Sequence, residues 1–180
     1  MLLSSERSVL LLIDIQEKLA PAVSGADAVV RNAGILLDAA AAVAVPVLAS
    51  EHYPKGIGVT VSALRERLAP ESVFEKIHFS CCGEAGFLDR LDATGRDQIV
   101  IMGTEAHVCV LQTALALAGQ GRNVFLVADA VGSRDPRNAE LAVARMRAAG
   151  ITIVSTEMVV FEWAQRGGTP VFKSLLSLIR

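Results

Sequence analysis

Residues 98–118 read QIVIMGTEAHVCVLQTALALA. The run 98–103 (QIVIMG) is short and almost continuously apolar, as a strand covered on both faces requires. From His107 to Ala118 the apolar residues return at helical spacing. A buried strand that passes directly into a helix is half of a βαβ unit, and the same pattern continues outward on both sides. Before it stand 8–13 (SVLLLI), which ends at Asp14, a helical stretch 27–43, a strand 46–50 (PVLAS), a weaker strand 73–76 and a helical stretch 86–94. After it come a strand 123–128 (NVFLVA), a helix 136–149 opened by Pro136 and closed by Gly150, a strand 151–154, and short helices towards Arg180. This alternation predicts an α/β fold, with a parallel sheet, helices on both faces and right-handed crossovers. No linker or repeat divides the chain, so one domain over residues 1–180 is expected.

The composition fits. Of 180 residues, 52% are hydrophobic but only 4% aromatic, so the apolar mass is Ala, Val, Leu and Ile. That is enough for one sizeable core and excludes a disordered chain. A net charge of -2 implies no basic surface for nucleic acid or an anionic membrane. The most apolar stretch, residues 32–50, is broken by Asp38 and Pro46 and falls short of a membrane span. Glu6, Arg7 and Asp14 interrupt any leader pattern, so a cytoplasmic protein is expected. Three cysteines make no disulfide framework.

In such sheets the ligand crevice lies beyond the carboxyl ends of the strands, where strand order reverses. The polar residues there are Asp14, Glu51-His52-Tyr53, Lys76 with His78, residues 104–109, Asp129, and Ser133-Arg134-Asp135. Cys109 stands near a helix start, where the helix dipole favours thiolate. A small buried hydrophobe is the plainer reading of it. Its company gives the thiol chemistry: a carboxylate at Asp14 can take its proton and a cation at Lys76 can stabilise the anion. Taken singly, Asp14 also reads as a loop cap and Lys76 as a solvated charge. Phe79 is a candidate pocket wall. Cys81 and Cys82 read as structural, with a redox partner for Cys109 as the other reading. Trp163 suits either the core or a subunit contact.

LIDIQ at 12–16, E-K-x-x-F-S at 75–80 and GTEAHVCV at 103–110 together resemble the isochorismatase-like cysteine hydrolases. SEHYPKGIG at 50–58, DAVGSR at 129–134 and ARMRAAG at 144–150 are similar to the isochorismatase domain-containing subgroup. The resemblance covers essentially the whole chain. It implies a three-layer α/β/α fold with a six-stranded parallel sheet in the order 3-2-1-4-5-6, which sets Asp14 and Cys109 across one crevice. It also implies a triad of Asp14 as general base, Lys76 as cation and Cys109 as nucleophile. A cis peptide between Thr104 and Glu105 would aim the Glu105 N–H beside that of Cys109 as an oxyanion hole. The substrate would be a small amide, ureide or related carbonyl compound, contacted by His52, Tyr53, Phe79, Thr104 and His107. Relatives of this kind are commonly oligomeric, so a homo-oligomer is expected.

The chain departs from that pattern in two places. Nicotinamidases carry an Asp-x-His metal pair after strand two, where this chain has Glu51-His52-Tyr53, so neither a metal nor another cofactor is expected. Where many relatives have Ala-Thr-Asp, this chain has Glu105-Ala106-His107. A Glu beside a thiolate is unfavourable unless paired, and Glu105 has two outlets, the substrate or an arginine such as Arg134. His107 has a structural and a substrate reading. His52 and Tyr53 either line the pocket or pack the loop. Vinyl ether hydrolysis of the isochorismatase type and a non-catalytic interaction protein on the same scaffold are the alternative functions.

Overall fold

The computed structural model describes residues 1–179. Six strands, β1 (Ser8–Ile13), β2 (Val47–His52), β3 (Val73–Lys76), β4 (Gln98–Thr104), β5 (Asn123–Gly132) and β6 (Thr152–Val154), form one parallel sheet in the order β3-β2-β1-β4-β5-β6. The expected order is therefore the observed one. Eight helices connect and cover it: α1 (Ala26–Ala42), α2 (Pro54–Ile57), α3 (Ser62–Arg65), α4 (Phe87–Ala93), α5 (Leu111–Gly119), α6 (Pro136–Ala148), α7 (Thr156–Ala164) and α8 (Pro170–Leu176).

The two-residue period of the strands builds two cores. Leu10 and Leu12 of β1 join Val100, Met102, Phe125 and Val127 against α1, α7 and α8. Val9, Leu11 and Ile13 join Ile99, Ile101 and Leu126 against α4, α5 and α6. Every residue of β1 and β4 is buried, which explains why both read as unbroken apolar runs. Trp163 belongs to the core, where its indole N–H donates to Ser8 Oγ at 2.9 Å. No helix among the described residues is long and apolar enough to cross a membrane.

Three strands run beyond their expected ends, β4 by Thr104 alone. β2 continues through Glu51 and His52 because β3 offers a ladder there, Glu51 opposite Glu75 and His52 opposite Lys76. β5 continues to Gly132 because a register shift between Ile101 and Gly103 of β4 lets Val131 and Gly132 pair with Gly103 and Thr104. The helix expected from His107 begins instead as a π-helical turn, Ala106–Val110, before α5. Wide turns of this kind are often found at functional sites.

Candidate active site

Three of the five non-glycine residues with positive φ among those described stand directly after strands: Asp14 (53°) after β1, Tyr53 (40°) after β2 and Glu105 (52°) after β4. Such conformations cost roughly 1–3 kcal/mol each and persist where surrounding structure enforces them. Asp14 and Glu105 stand where strand order reverses, between β1 and β4, and Tyr53 follows the next strand, β2.

Asp14 is enclosed on every side. Ser50 Oγ donates to its Oδ1 at 2.7 Å, and Lys76 Nζ donates to its Oδ2 at 2.7 Å. Its backbone N–H donates to the Ser50 carbonyl at 3.2 Å, and its own carbonyl accepts from Thr104 Oγ1. The Asp14 and Lys76 side chains are both 0% exposed. The other two protons of Lys76 Nζ go to the carbonyls of His78 and Phe79, each at 3.2 Å. All three ammonium N–H groups are thus engaged. Burial pulls Lys76 towards neutrality, but the Asp14 charge, the neighbouring Cys109 and Cys81, and the hydrogen bond to Asp14 together outweigh it and hold the ammonium above the usual lysine range.

The Cys109 thiol stands beside both groups and is 5% exposed. Burial, followed by the Asp14 charge, pushes it up to about 12, against the opposing pull of Lys76. The expected lowering by a helix start does not prevail. Cys109 lies inside the π-helical turn, and desolvation of an anion exceeds the dipole effect there. The resting thiol is protonated.

The expected cis bond between Thr104 and Glu105 is also corrected, since no peptide bond among the described residues is cis. The chain reverses instead through the left-handed Glu105 and the wide turn after it. Glu105 takes the arginine outlet: its Oε1 accepts from the Arg134 backbone N–H and Nε, both at 3.2 Å, while its Oε2 is buried without a hydrogen bond. His107 Nδ1 meets Ser133 Oγ at 2.9 Å, so the nucleophile turn is tied twice to the segment after β5.

His52 lies near Lys76 and Asp14, its ring 5.5 Å from that of Phe79. Burial and then the Lys76 charge lower its pKa, and its Nδ1 is buried without a partner. Phe79 is 52% exposed. Tyr53 points outward and its ring lies over Gly56, where an added Cβ would come within 2.3 Å. It borders a cleft of about 290 Å³ that also touches Lys76 and Ile77.

Three residues without an assigned role turn out to shape the site. Ser50 holds Asp14. Gln16 clamps the loop after β2, accepting from His52 N–H at 2.7 Å and donating to the carbonyls of His52 and Gly58 at 3.0 and 2.5 Å. Glu51 Oε1 accepts from Thr60 N–H, Thr60 Oγ1 and Arg65 Nη1 at 2.7, 2.8 and 2.6 Å. Glu51 is therefore turned into the loop and does not suit a metal, and no group of three His, Cys, Asp or Glu side chains is assembled among the described residues. The signal for these three was position: each is polar and adjoins the crevice end of β1 or β2.

The profile of the Isochorismatase domain matches residues 8–158. The chain belongs to this family. It is 36% identical to isochorismatase domain-containing protein 2 of Danio rerio over 98% of this chain and 89% of that protein. Among solved structures, the MAR1 ribonuclease of Caenorhabditis elegans is 34% identical, with a TM-score of 0.93 over 99% of this chain and 92% of that one. YcaC from Pseudomonas aeruginosa, solved with hexane-2,5-diol and covalent acrylamide, is 26% identical, with a TM-score of 0.92 over 98% and 91% of the two chains. This isochorismatase-family chain thus shares its fold with the two solved structures over nearly all of its own residues.

Proposed function

We propose that this family member is a cysteine hydrolase that cleaves a small amide, ureide or related carbonyl compound through a thioester. The observation that carries the reading is the fully buried Lys76–Asp14 pair beside the Cys109 thiol. A buried ion pair adds little to stability against an apolar replacement, so its presence asks for a chemical reason. A thiol against a carboxylate is what a nucleophile and its base require.

Because the thiol rests protonated, its proton leaves as sulfur attacks. Asp14 takes the proton from Cys109 Sγ, the S–C bond forms, and the carbonyl electron pair moves to oxygen. The N–H groups of Glu105 and Cys109 are the proposed donors to that oxyanion. Collapse breaks the C–N bond, and Asp14 returns the proton to the departing nitrogen. Asp14 then deprotonates a water that hydrolyses the thioester, and that proton restores the thiol. Lys76 acts by its charge, since its N–H groups are engaged elsewhere. His52, Phe79 and Tyr53 are the proposed substrate wall. The Thr104 and His107 contacts described above tie the turn in place, and any substrate contact they make is secondary to that.

The covalent acrylamide of the P. aeruginosa relative supports a reactive nucleophile on this scaffold, since acrylamide is captured at its vinyl carbon by a nucleophile. Retention of a thiol argues against the vinyl ether alternative, which does not need one. The net charge of -2 argues against RNA as substrate, despite the name of the C. elegans relative. Ammonia release from a panel of small amides and ureides tests the proposal. Cys109→Ala should abolish turnover, and Asp14→Asn should lower it about 10²–10⁴-fold with both proteins folded. Full activity in either variant, or RNA cleavage that survives Cys109→Ala, would overturn it.

A further inference from the structure

Ser50 is fully buried at the crevice end of β2, and its hydroxyl donates to Asp14 Oδ1 at 2.7 Å. The other carboxylate oxygen, Oδ2, accepts from Lys76. The two partners differ in kind: an ammonium can only donate, whereas a hydroxyl can donate or accept. The groups facing Asp14 are Lys76 from β3, Cys109 from the π-helical turn, His52 and Ser50 from β2, and Cys81 from the segment after β3. The Cys81 thiol adjoins Ser50 and is fully buried.

We propose that Ser50 is a positioning residue for the general base, fixing Oδ1 as the oxygen that carries the proton by reversing its own hydrogen bond. This rests on the hydrolase reading above. In the resting state Ser50 Oγ–H points at the carboxylate. When the proton leaves Cys109 Sγ for Asp14 Oδ1, the Asp14 O–H donates to Ser50 Oγ, and the Ser50 proton turns to the Cys81 sulfur. Proton transfer back to the leaving nitrogen restores the first arrangement. No heavy atom moves and no other donor is needed.

The test is independent of the natural substrate. Alkylation of Cys109 by acrylamide is followed by mass spectrometry as a function of pH in wild type, Ser50→Ala, Ser50→Thr and Asp14→Asn. Loss of the hydrogen bond that fixes Asp14 Oδ1 should slow Cys109 alkylation about tenfold in Ser50→Ala across the measured pH range, with Ser50→Thr close to wild type. Ser50→Cys, which keeps the volume but is a weak donor, should slow alkylation likewise and serves if the alanine variant does not fold. A Ser50→Ala profile that superimposes on wild type while Asp14→Asn is displaced overturns the role of Ser50 alone. An Asp14→Asn profile identical to wild type overturns the hydrolase reading and this inference together.

Discussion

Cys81 and Cys109 are buried thiols with different work. Burial pushes Cys81 up to about 11 from an ordinary 9.0, and Cys109 to about 12. Both pKa values are higher in the folded than in the unfolded chain. The unfolded chain therefore loses its thiol protons first, and stability present below pH 9 drains away as pH rises towards 11. For Cys81 alone this is worth about 2 kcal/mol between pH 8 and 10.5. Urea unfolding of wild type and Cys81→Ala at pH 8 and 10.5 measures it. The variant starts less stable because of the cavity but should fall less over that interval. Equal falls in the two proteins would refute the buried-thiol account. The placing of Asp14 and Lys76 at strand ends facing the crevice of Cys109 was legible in sequence. That the thiol would rest protonated was not, because residue order does not reveal desolvation.

At the scale of elements, the site depends on how closely β1 and β4 approach. Gly103 pairs with Ile13, and a Cβ added at Gly103 would lie 2.3 Å from the Ile13 carbonyl oxygen. Gly103→Ala must therefore push β4 away from β1 one residue before Asp14. We expect a loss of about 1–3 kcal/mol in thermal unfolding and a fall in turnover, because Thr104 can no longer hold the Asp14 carbonyl. A variant with wild-type stability would show that the strands have slack. The loop after β2 makes the complementary case. No metal is expected of Glu51-His52-Tyr53 on residue type, but its actual restraint by Gln16 joins residues 36 and 42 positions apart. Short-range pattern gives strand and helix, but a clamp between β1 and the loop after β2 has no periodicity to betray it. The same holds for the π-helical turn, whose sequence AHVCV reads as ordinary helix.

At the scale of the molecule, α7 and α8 form the outer edge of one layer. Their inner residues Val159, Val160, Trp163 and Leu175 enter the core, with Leu178 and Ile179 packed against it. Met158, Phe161 and Val171 remain on the outside of the same helices. An association of copies, proposed for this chain, would cover such residues. Light scattering should give a mass above that of one 19.0 kDa chain, and a monomer at all concentrations would rule the assembly out.

Residue order is enough to set the layer architecture, since apolar runs of strand length alternating with helical patterns leave few topologies that bury both faces of a sheet. It also placed Asp14, Lys76 and Cys109 at strand ends facing one crevice. Tertiary structure alone decided their chemical state. Full enclosure of Asp14 and Lys76 joins them as an ion pair, burial holds the Cys109 proton, and Ser50 and Gln16 act through contacts across strands. Those are consequences of distance and desolvation in space, which no local pattern of residues encodes.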